Sequence, residues 1–114
     1  MLTLEGLKNY GADTKTGLER CMNNESFYFK LIGMAVNDDK FGMLKEAISN
    51  GDLDKAFEAA HALKGTTGNL SLDPIYVPVC EITELLRSRT EMDYSELIGT
   101  ILEKKDELKA MVEG

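Results

Sequence analysis

The sequence predicts an all-α protein, specifically an antiparallel four-helix bundle with short additional N-terminal helices. Apolar residues recur at helical spacing through most of the 114 residues, and no segment alternates between apolar and polar residues long enough to predict a strand. Short turns rich in Gly, Asn, Asp and Pro separate the periodic segments, so we expect successive helices to be neighbours in space. The length fits one compact domain that covers residues 1–114.

Two short helices are predicted at the N-terminus. The first runs from about Leu4 to Tyr10 and stops at Gly11, a residue type that readily ends a helix. The second runs from about Lys15 to Met22. Three of its residues are expected to face inward: Leu18, Cys21 and Met22.

The third and fourth predicted helices are bounded by residues that favour helix ends. Asn24 can cap the third helix, because a short polar side chain accepts hydrogen bonds from the free N–H groups of a first turn. Asn37-Asp38-Asp39 ends that helix, and Asn50-Gly51 ends the fourth, since both residue types tolerate the left-handed conformation. The residues expected to be buried are Phe27, Tyr28, Leu31, Ile32 and Ala35 in the third helix, and Phe41, Leu44, Ala47 and Ile48 in the fourth.

The fifth predicted helix, from about Leu53 to Asn69, contains the histidine of the chain. Asp52 can cap this helix. Its inward stripe comprises Leu53, Ala56, Phe57, Ala60, Leu63, Thr67 and Leu70.

Two further helices complete the predicted bundle. Asp73 as N-cap and Pro74 at the first helical position open the sixth helix, which ends near Arg89. Pro78 lies inside it and predicts a kink or a start delayed by one turn. Asp93-Tyr94-Ser95-Glu96 resembles a capping box that opens the last helix. The inward residues are Ile75, Val79, Ile82, Leu85 and Leu86 in the sixth helix, and Leu97, Ile98, Ile101, Leu102, Leu108 and Met111 in the last.

The charge balance and the cysteines narrow the choice of partners. Lys and Arg number 13 against 20 Asp and Glu, and a net charge of −7 opposes binding to nucleic acid. No apolar stretch approaches the roughly 18 residues that span a bilayer, and the N-terminus lacks a secretory signal. Cys21 and Cys80 are far apart in the sequence and predict free thiols. We therefore expect a soluble, cytoplasmic protein with no nucleic-acid or membrane partner.

The sequence contains few motifs or residues that are typical of catalytic sites. It has no phosphate-binding glycine loop, no metalloprotease or hydrolase motif and only one histidine, His61. At 100° per residue, His61 lies roughly 115° from the centre of the inward stripe, at the boundary between core and solvent. Its ring is therefore expected to be accessible.

Small residues and one lysine surround His61 on the same helix. Gly65 and Gly68 follow it by one and two turns, and Lys64 stands one turn away toward the buried side. Two glycines inside a helix cost roughly 0.5–1 kcal/mol each relative to alanine, so something local should compensate. One interpretation is that they let a bulky partner reach the imidazole. The alternative is that Gly65 allows close helix packing and that Gly68-Asn69 is where the helix ends.

An accessible imidazole suits the capture of a phosphoryl group. Imidazole is largely neutral near pH 7 and is then a good nucleophile. A phosphorylated ring nitrogen remains a good leaving group, which favours a carrier over a hydrolase. Lys64 could offset the charge of the phosphoryl group, although a lysine whose stem lies along the core is the commoner explanation.

The segment His61-Ala62-Leu63-Lys64-Gly65-Thr66-Thr67-Gly68-Asn69-Leu70 resembles the motif of histidine-phosphotransfer (HPt) domains of two-component phosphorelays. The similarity extends from about Leu18 to Arg89. One departure is Ser71, where many members have glycine.

The resemblance implies a four-helix bundle in which His61 is the phosphoacceptor through Nε2. Lys64 would stabilise the charge of the phosphoryl group, and Gly65 and Gly68 would give access to the partner. The implied partners are receiver domains of response regulators or hybrid histidine kinases. No cofactor is implied for this chain, because Mg²⁺ is expected on the receiver partner. The chain would be a phosphoryl carrier without ATP-dependent kinase activity of its own, and we expect a monomer.

Two alternatives remain open from the sequence. One is a non-catalytic acidic helical interaction module in which His61 is only a boundary residue. The other is the phosphoacceptor domain of a longer histidine kinase, although Met1 and the short C-terminal overhang favour a free-standing protein. A metal site would need more ligands than one histidine and two distant cysteines supply. Phe41, Met43 and Leu44 are candidates for an exposed docking surface beside the histidine helix.

Overall fold

The computed structural model describes residues 1–114 and contains seven α-helices and no strand. The predicted all-α class is confirmed. The helices are α1 (Leu4–Tyr10), α2 (Thr14–Arg20), α3 (Glu25–Val36), α4 (Lys40–Ser49), α5 (Leu53–Asn69), α6 (Asp73–Arg87) and α7 (Ser95–Glu113).

The four C-terminal helices pack in chain order, α4 on α5, α5 on α6 and α6 on α7, and α3 packs against α7. The turns between them span three, three and seven residues, which are short enough to make successive helices antiparallel neighbours. The molecule measures 41 × 25 × 20 Å. None of its helices is long and apolar enough to cross a membrane.

One hydrophobic core of 24 buried residues runs through the molecule. The inward stripe predicted for α5 is largely confirmed, because its alanines, Leu63 and Thr67 are buried while Leu53 and Phe57 lie half-buried at its edge. The largest fully buried side chains on the other helices include Leu7, Tyr28, Ile32, Leu44, Ile75, Ile82, Leu86, Ile101 and Leu108.

Local side-chain caps and left-handed glycines set several helix ends as predicted. Asn24 Oδ1 accepts from the Phe27 N–H at 3.0 Å, and Asp52 Oδ1 accepts from the Lys55 N–H at 3.1 Å. Gly51 follows α4 with φ +69°, a conformation that costs glycine little. The histidine helix therefore begins at a side-chain cap that the sequence predicts.

Two residues predicted to be buried are exposed. Met22 is 81% exposed, because α2 ends at Arg20 and Met22 adopts φ +57° in the turn that follows. Phe27 is 38% exposed, since it lies in the first turn of α3 and the neighbouring Tyr28 takes the buried position.

The predicted starts of α6 and α7 are each wrong by one residue. Helix α6 begins at Asp73 itself, and its first turn forms around the fully buried Leu72, whose carbonyl accepts from Ile75 and Tyr76. The start is not delayed by Pro78, which lies within the helix. Helix α7 begins at Ser95, after the buried Tyr94; the Asp93 carboxylate accepts from the Ser95 N–H instead of closing a capping box.

Candidate functional site

His61 lies near the middle of α5, and its side chain is exposed. Its neighbours Ala60 and Leu63 are fully buried, so the helix presents the imidazole at the edge of its buried face. The ring is therefore accessible, as its angular position on the helix predicts.

The His61 ring stacks on Phe57, one turn earlier in α5. The two ring centroids are 5.5 Å apart and the planes differ by 7°. One face of the imidazole consequently lies toward the phenyl ring, while the ring edge with its two nitrogens is left uncovered by this contact. Residues four apart on a helix are neighbours, so the spacing of Phe57 and His61 is a sequence signal for this contact, which was not predicted.

Two arginines lie over the Phe57 ring. The guanidinium carbons of Arg87 and Arg89 are 5.1 and 4.9 Å from its centroid, within the range of a cation–π contact. Arg89 Nε also donates to Asp54 Oδ1 at 2.6 Å. No sequence pattern predicts that these arginines contact Phe57, because the contact depends on how the end of α6 packs against the start of α5.

Lys64 is paired with a carboxylate of the next helix. Its Nζ lies 3.7 Å from Glu84 Oε2. Glu84 also accepts from Arg87 Nε at 3.3 Å. The hydrogen bond from Arg87, together with the positive charges of Arg87 and Lys64, holds the pKa of the Glu84 carboxyl below its usual value. Lys64 thus belongs to an ion cluster with Glu84 and Arg87 of α6, which was not predicted.

Gly65 and Gly68 have different surroundings. A methyl group at Gly65 would meet no atom within 4 Å, so close packing inside the chain does not explain this glycine. A methyl group at Gly68 would lie 2.7 Å from Tyr76 Cε1 of α6. The packing alternative is therefore wrong for Gly65, and close packing explains Gly68 without any need for partner access.

A polar groove extends from His61 along α5 toward α2. Its wall on the side of α2 is formed by Asp13, Thr16 and Arg20, and its end by Ser71, Asp73 and Tyr76. Arg20 Nη1 donates to the Gly68 carbonyl and approaches Ser71 Oγ at 3.4 Å, so it ties α2 to the end of α5. The position of α2 beside the histidine helix was not predicted, since nothing in the local sequence pattern of α2 indicates what it packs against.

A second, more apolar groove lies on the other side of Gly65. Leu31, Met34 and Ala35 of α3 line it together with Ala62 and Leu70, and Met34 is 61% exposed. The docking surface predicted on α4 is wrong for two of its three residues. Phe41 and Leu44 are buried in the core, and only Met43, 52% exposed, remains available.

The described chain contains no group of three or more His, Cys, Asp or Glu side chains placed to hold a metal ion. Cys21 is buried and Cys80 half-buried, and both are free thiols, as predicted.

A helical bundle that presents one exposed imidazole, with a lysine one turn away and open space over the next glycine, has the architecture of a phosphotransfer module. The family model described as Hpt domain matches residues 36–114, which is more than half of the chain. The chain belongs to the Hpt domain family, whose members act in phosphotransfer in two-component signalling and interact with receiver domains in phosphorelays. No curated protein and no solved structure gives a significant match.

The matched range differs from the resemblance seen in the sequence. It begins at residue 36, later than Leu18, and it continues through α7 to residue 114. Helices α1 and α2 and nearly all of α3 precede it. The wall that α2 contributes to the groove beside His61 is therefore outside the part of the chain that the family model matches.

Proposed function

We propose that this protein carries a phosphoryl group on His61 and relays it between the aspartates of receiver domains. The observation that supports this most is the exposed His61 ring, stacked on Phe57, in an Hpt-family bundle with open space over Gly65. A receiver aspartate can approach that space without meeting a side chain of α5.

Transfer requires one bond to form and one to break. A ring nitrogen of His61 attacks the phosphorus of an aspartyl phosphate on the receiver, and Nε2 is the nitrogen that the family resemblance implies. The N–P bond forms while the bond between phosphorus and the aspartate oxygen breaks, which returns the aspartate to its carboxylate form. The reverse reaction with a second receiver passes the group on.

The other site residues have supporting roles in this proposal. The Phe57 stack restricts rotation of the imidazole and so lowers the entropy lost when the ring is aligned for attack. Lys64 can turn from Glu84 toward the phosphoryl oxygens, which bring about two negative charges at pH 7. We expect Mg²⁺ to be supplied by the receiver partner, and we expect no ATP-dependent phosphorylation by this chain alone.

The test is a transfer assay with a panel of phosphorylated receiver domains. We expect wild-type protein to acquire phosphate that is labile in acid and stable in alkali, and His61→Gln to acquire none. Because His61 is exposed, the substitution should leave the helical circular dichroism spectrum unchanged.

Two results would contradict the proposal. Equal labelling of His61→Gln and wild type would show that another residue accepts the phosphate. A wild-type protein that binds receivers, but is labelled by none of them, would favour the non-catalytic interaction module. Incubation with ATP alone forms a parallel arm, in which labelling of the chain would contradict the expected dependence on a receiver.

A further inference from the structure

The ion cluster beside His61 is arranged around a single carboxylate. Glu84 lies between two cations, with Lys64 Nζ 3.7 Å from Oε2 and Arg87 Nε 3.3 Å from Oε1. Lys64 is one turn after His61 on α5, and Arg87 lies over Phe57, the residue one turn before His61. Glu84 thus pairs with the lysine that follows the imidazole on α5 and with an arginine that contacts the ring stacked on it.

We propose that Glu84 is a positioning residue that holds Lys64 beside His61 and competes with a bound phosphoryl group for that lysine. This inference rests on the proposed phosphotransfer function. Its consequence is that Glu84 makes phosphorylated His61 less stable relative to the phosphorylated receiver, which keeps the transfer reversible.

The competition follows from the charges. A phosphoryl group on His61 brings about two negative charges to a position one helical turn from the Lys64 stem. The Lys64 ammonium is paired with Glu84 in the unmodified protein, so the carboxylate and the phosphoryl oxygens would compete for its charge. The lowered pKa of Glu84 keeps its carboxylate ionised near pH 7, so the competing charge is present whenever the protein functions.

Arg87 makes this exchange feasible. Its Nε and Nη2 both lie within 3.4 Å of Glu84 carboxylate oxygens, so Glu84 keeps a partner after Lys64 turns away. Arg87 thereby keeps the Glu84 carboxylate paired when Lys64 moves. The Glu84 side chain is 59% exposed, so solvent weakens the pair and the effect on transfer should be modest.

The decisive comparison is between Glu84→Gln and Glu81→Gln. Both substitutions remove one negative charge from exposed positions of α6, but Glu81 lies in a different groove, with Val77 and Met92, and has no ion pair. The measured quantity is the equilibrium between phosphorylated receiver and phosphorylated His61. It is approached from both sides, with His61 phosphorylated beforehand by phosphoramidate in the second case.

We expect Glu84→Gln to shift this equilibrium toward phosphorylated His61 by about twofold to fivefold, the range of an exposed ion pair. Glu81→Gln should shift it less. The same Glu84 substitution in a Lys64→Gln background should have a smaller effect, because the competition acts through the lysine. A purely structural role of Glu84 would give the same effect in both backgrounds.

The inference is overturned if the two glutamate variants give the same equilibrium, if Glu84→Gln shifts it toward the receiver, or if the shift is undiminished without Lys64. These results are separate from a failure of the proposed function. In that case the wild-type protein itself would acquire no phosphate from any receiver.

Discussion

At the scale of single residues, Gly65 is a glycine that the protein's own packing does not require. It is exposed, it lies inside a regular helix, and a side chain there would touch nothing. A helix interior loses stability by having glycine instead of alanine. Packing within the chain therefore does not account for this glycine, which agrees with the proposal that a receiver approaches His61 over it.

Gly65→Ala should have opposite effects on stability and transfer. We expect the free energy of unfolding to rise by roughly 0.5–1 kcal/mol, because alanine favours the helix and meets no neighbour. We expect the rate of phosphoryl transfer from a receiver to fall, because the methyl group occupies the approach to His61. Urea unfolding and single-turnover transfer measure the two quantities.

Gly99→Ala is the matched control for this substitution. Gly99 is also an exposed glycine within a helix, α7, with nothing within 4 Å of an added methyl group. It should give a similar gain in stability and leave transfer unchanged. If Gly65→Ala transfers as fast as Gly99→Ala, the glycine is not needed for access.

Single-residue properties were predictable where they depend on one helix alone. The exposure of His61 follows from its angle to the apolar stripe, and the Asp52 cap follows from its place before the first turn. The partners of Lys64 were not predictable, since Glu84 and Arg87 approach from another helix. Local spacing predicts that His61 is accessible, and only the packed structure shows which charges lie near its helix.

At the scale of elements, the contact between α5 and α6 depends on the pairing of Gly68 with Tyr76. The tyrosine ring lies where a side chain at position 68 would be, so the two helices approach closely at this point. The carbonyl of Gly68 also accepts from Arg20 of α2. Three helices thus meet at the end of α5, two turns after His61.

Gly68→Ala should destabilise the protein by about 1–3 kcal/mol, the usual cost of forcing extra volume into a packed contact. The Tyr76 ring has to move, because the added methyl group would lie 2.7 Å from Cε1. In a Tyr76→Ser background the same substitution should be neutral or slightly stabilising. Denaturant midpoints of the four proteins measure this coupling, and equal costs in both backgrounds would mean that Tyr76 is not the obstacle.

Helix starts were predictable where a local cap determines them and not where burial does. Asn24 and Asp52 cap α3 and α5 through bonds within one turn. At α6 and α7 the residues before the helix, Leu72 and Tyr94, are buried in the core, and their burial overrides the capping signals of Asp73 and Asp93. Tertiary packing therefore moved each start by one residue.

At the scale of the whole molecule, Tyr28 connects the N-terminal helices to the bundle. Its side chain is fully buried, its hydroxyl donates to the Leu70 carbonyl at 2.9 Å, and its ring lies against Gly17 of α2. Burial raises the pKa of the Tyr28 hydroxyl to about 12 from an ordinary 10.0. The folded state consequently resists ionisation of this tyrosine.

The stability of the protein should fall at alkaline pH because of this tyrosine. The pKa of Tyr28 is higher in the folded than in the unfolded protein. The neutral Tyr28 hydroxyl therefore makes its full contribution to the free energy of unfolding below pH 10.0, and this contribution is lost as the pH rises through about 12. Tyr28→Phe should show a smaller fall in the unfolding free energy over this range. It should also be less stable at pH 7 by about 1–3 kcal/mol, because the Leu70 carbonyl loses a buried donor.

Urea unfolding between pH 7 and pH 11.5 tests this expectation. Tyr10→Phe is a parallel case, because burial also raises the pKa of Tyr10. The Tyr10 hydroxyl donates to the Lys104 carbonyl on α7. Each of the two substitutions should remove part of the fall in the free energy of unfolding at alkaline pH. An unchanged pH profile in Tyr28→Phe would contradict the assignment.

The placement of the N-terminal helices was the part of the whole molecule that the sequence could not predict. Their existence follows from the apolar spacing, but the contact of α2 with the end of α5 depends on Arg20, an exposed residue with no distinguishing pattern around it. The all-α class could be predicted from the apolar periodicity alone. The shape of the groove beside His61 could not, because one of its walls comes from α2, near the other end of the chain.

The nearly parallel rings of Phe57 and His61 make the stack detectable by NMR, through the ring-current shift of the imidazole protons. Protons near the face of a phenyl ring resonate away from their usual frequencies, and this chain has a single imidazole, so its two carbon-bound ring protons give unambiguous NMR signals. The displacement of those signals reports whether the imidazole still lies against the phenyl ring. If His61 is the phosphoacceptor as proposed, spectra recorded before and after phosphorylation would show whether the ring keeps its orientation.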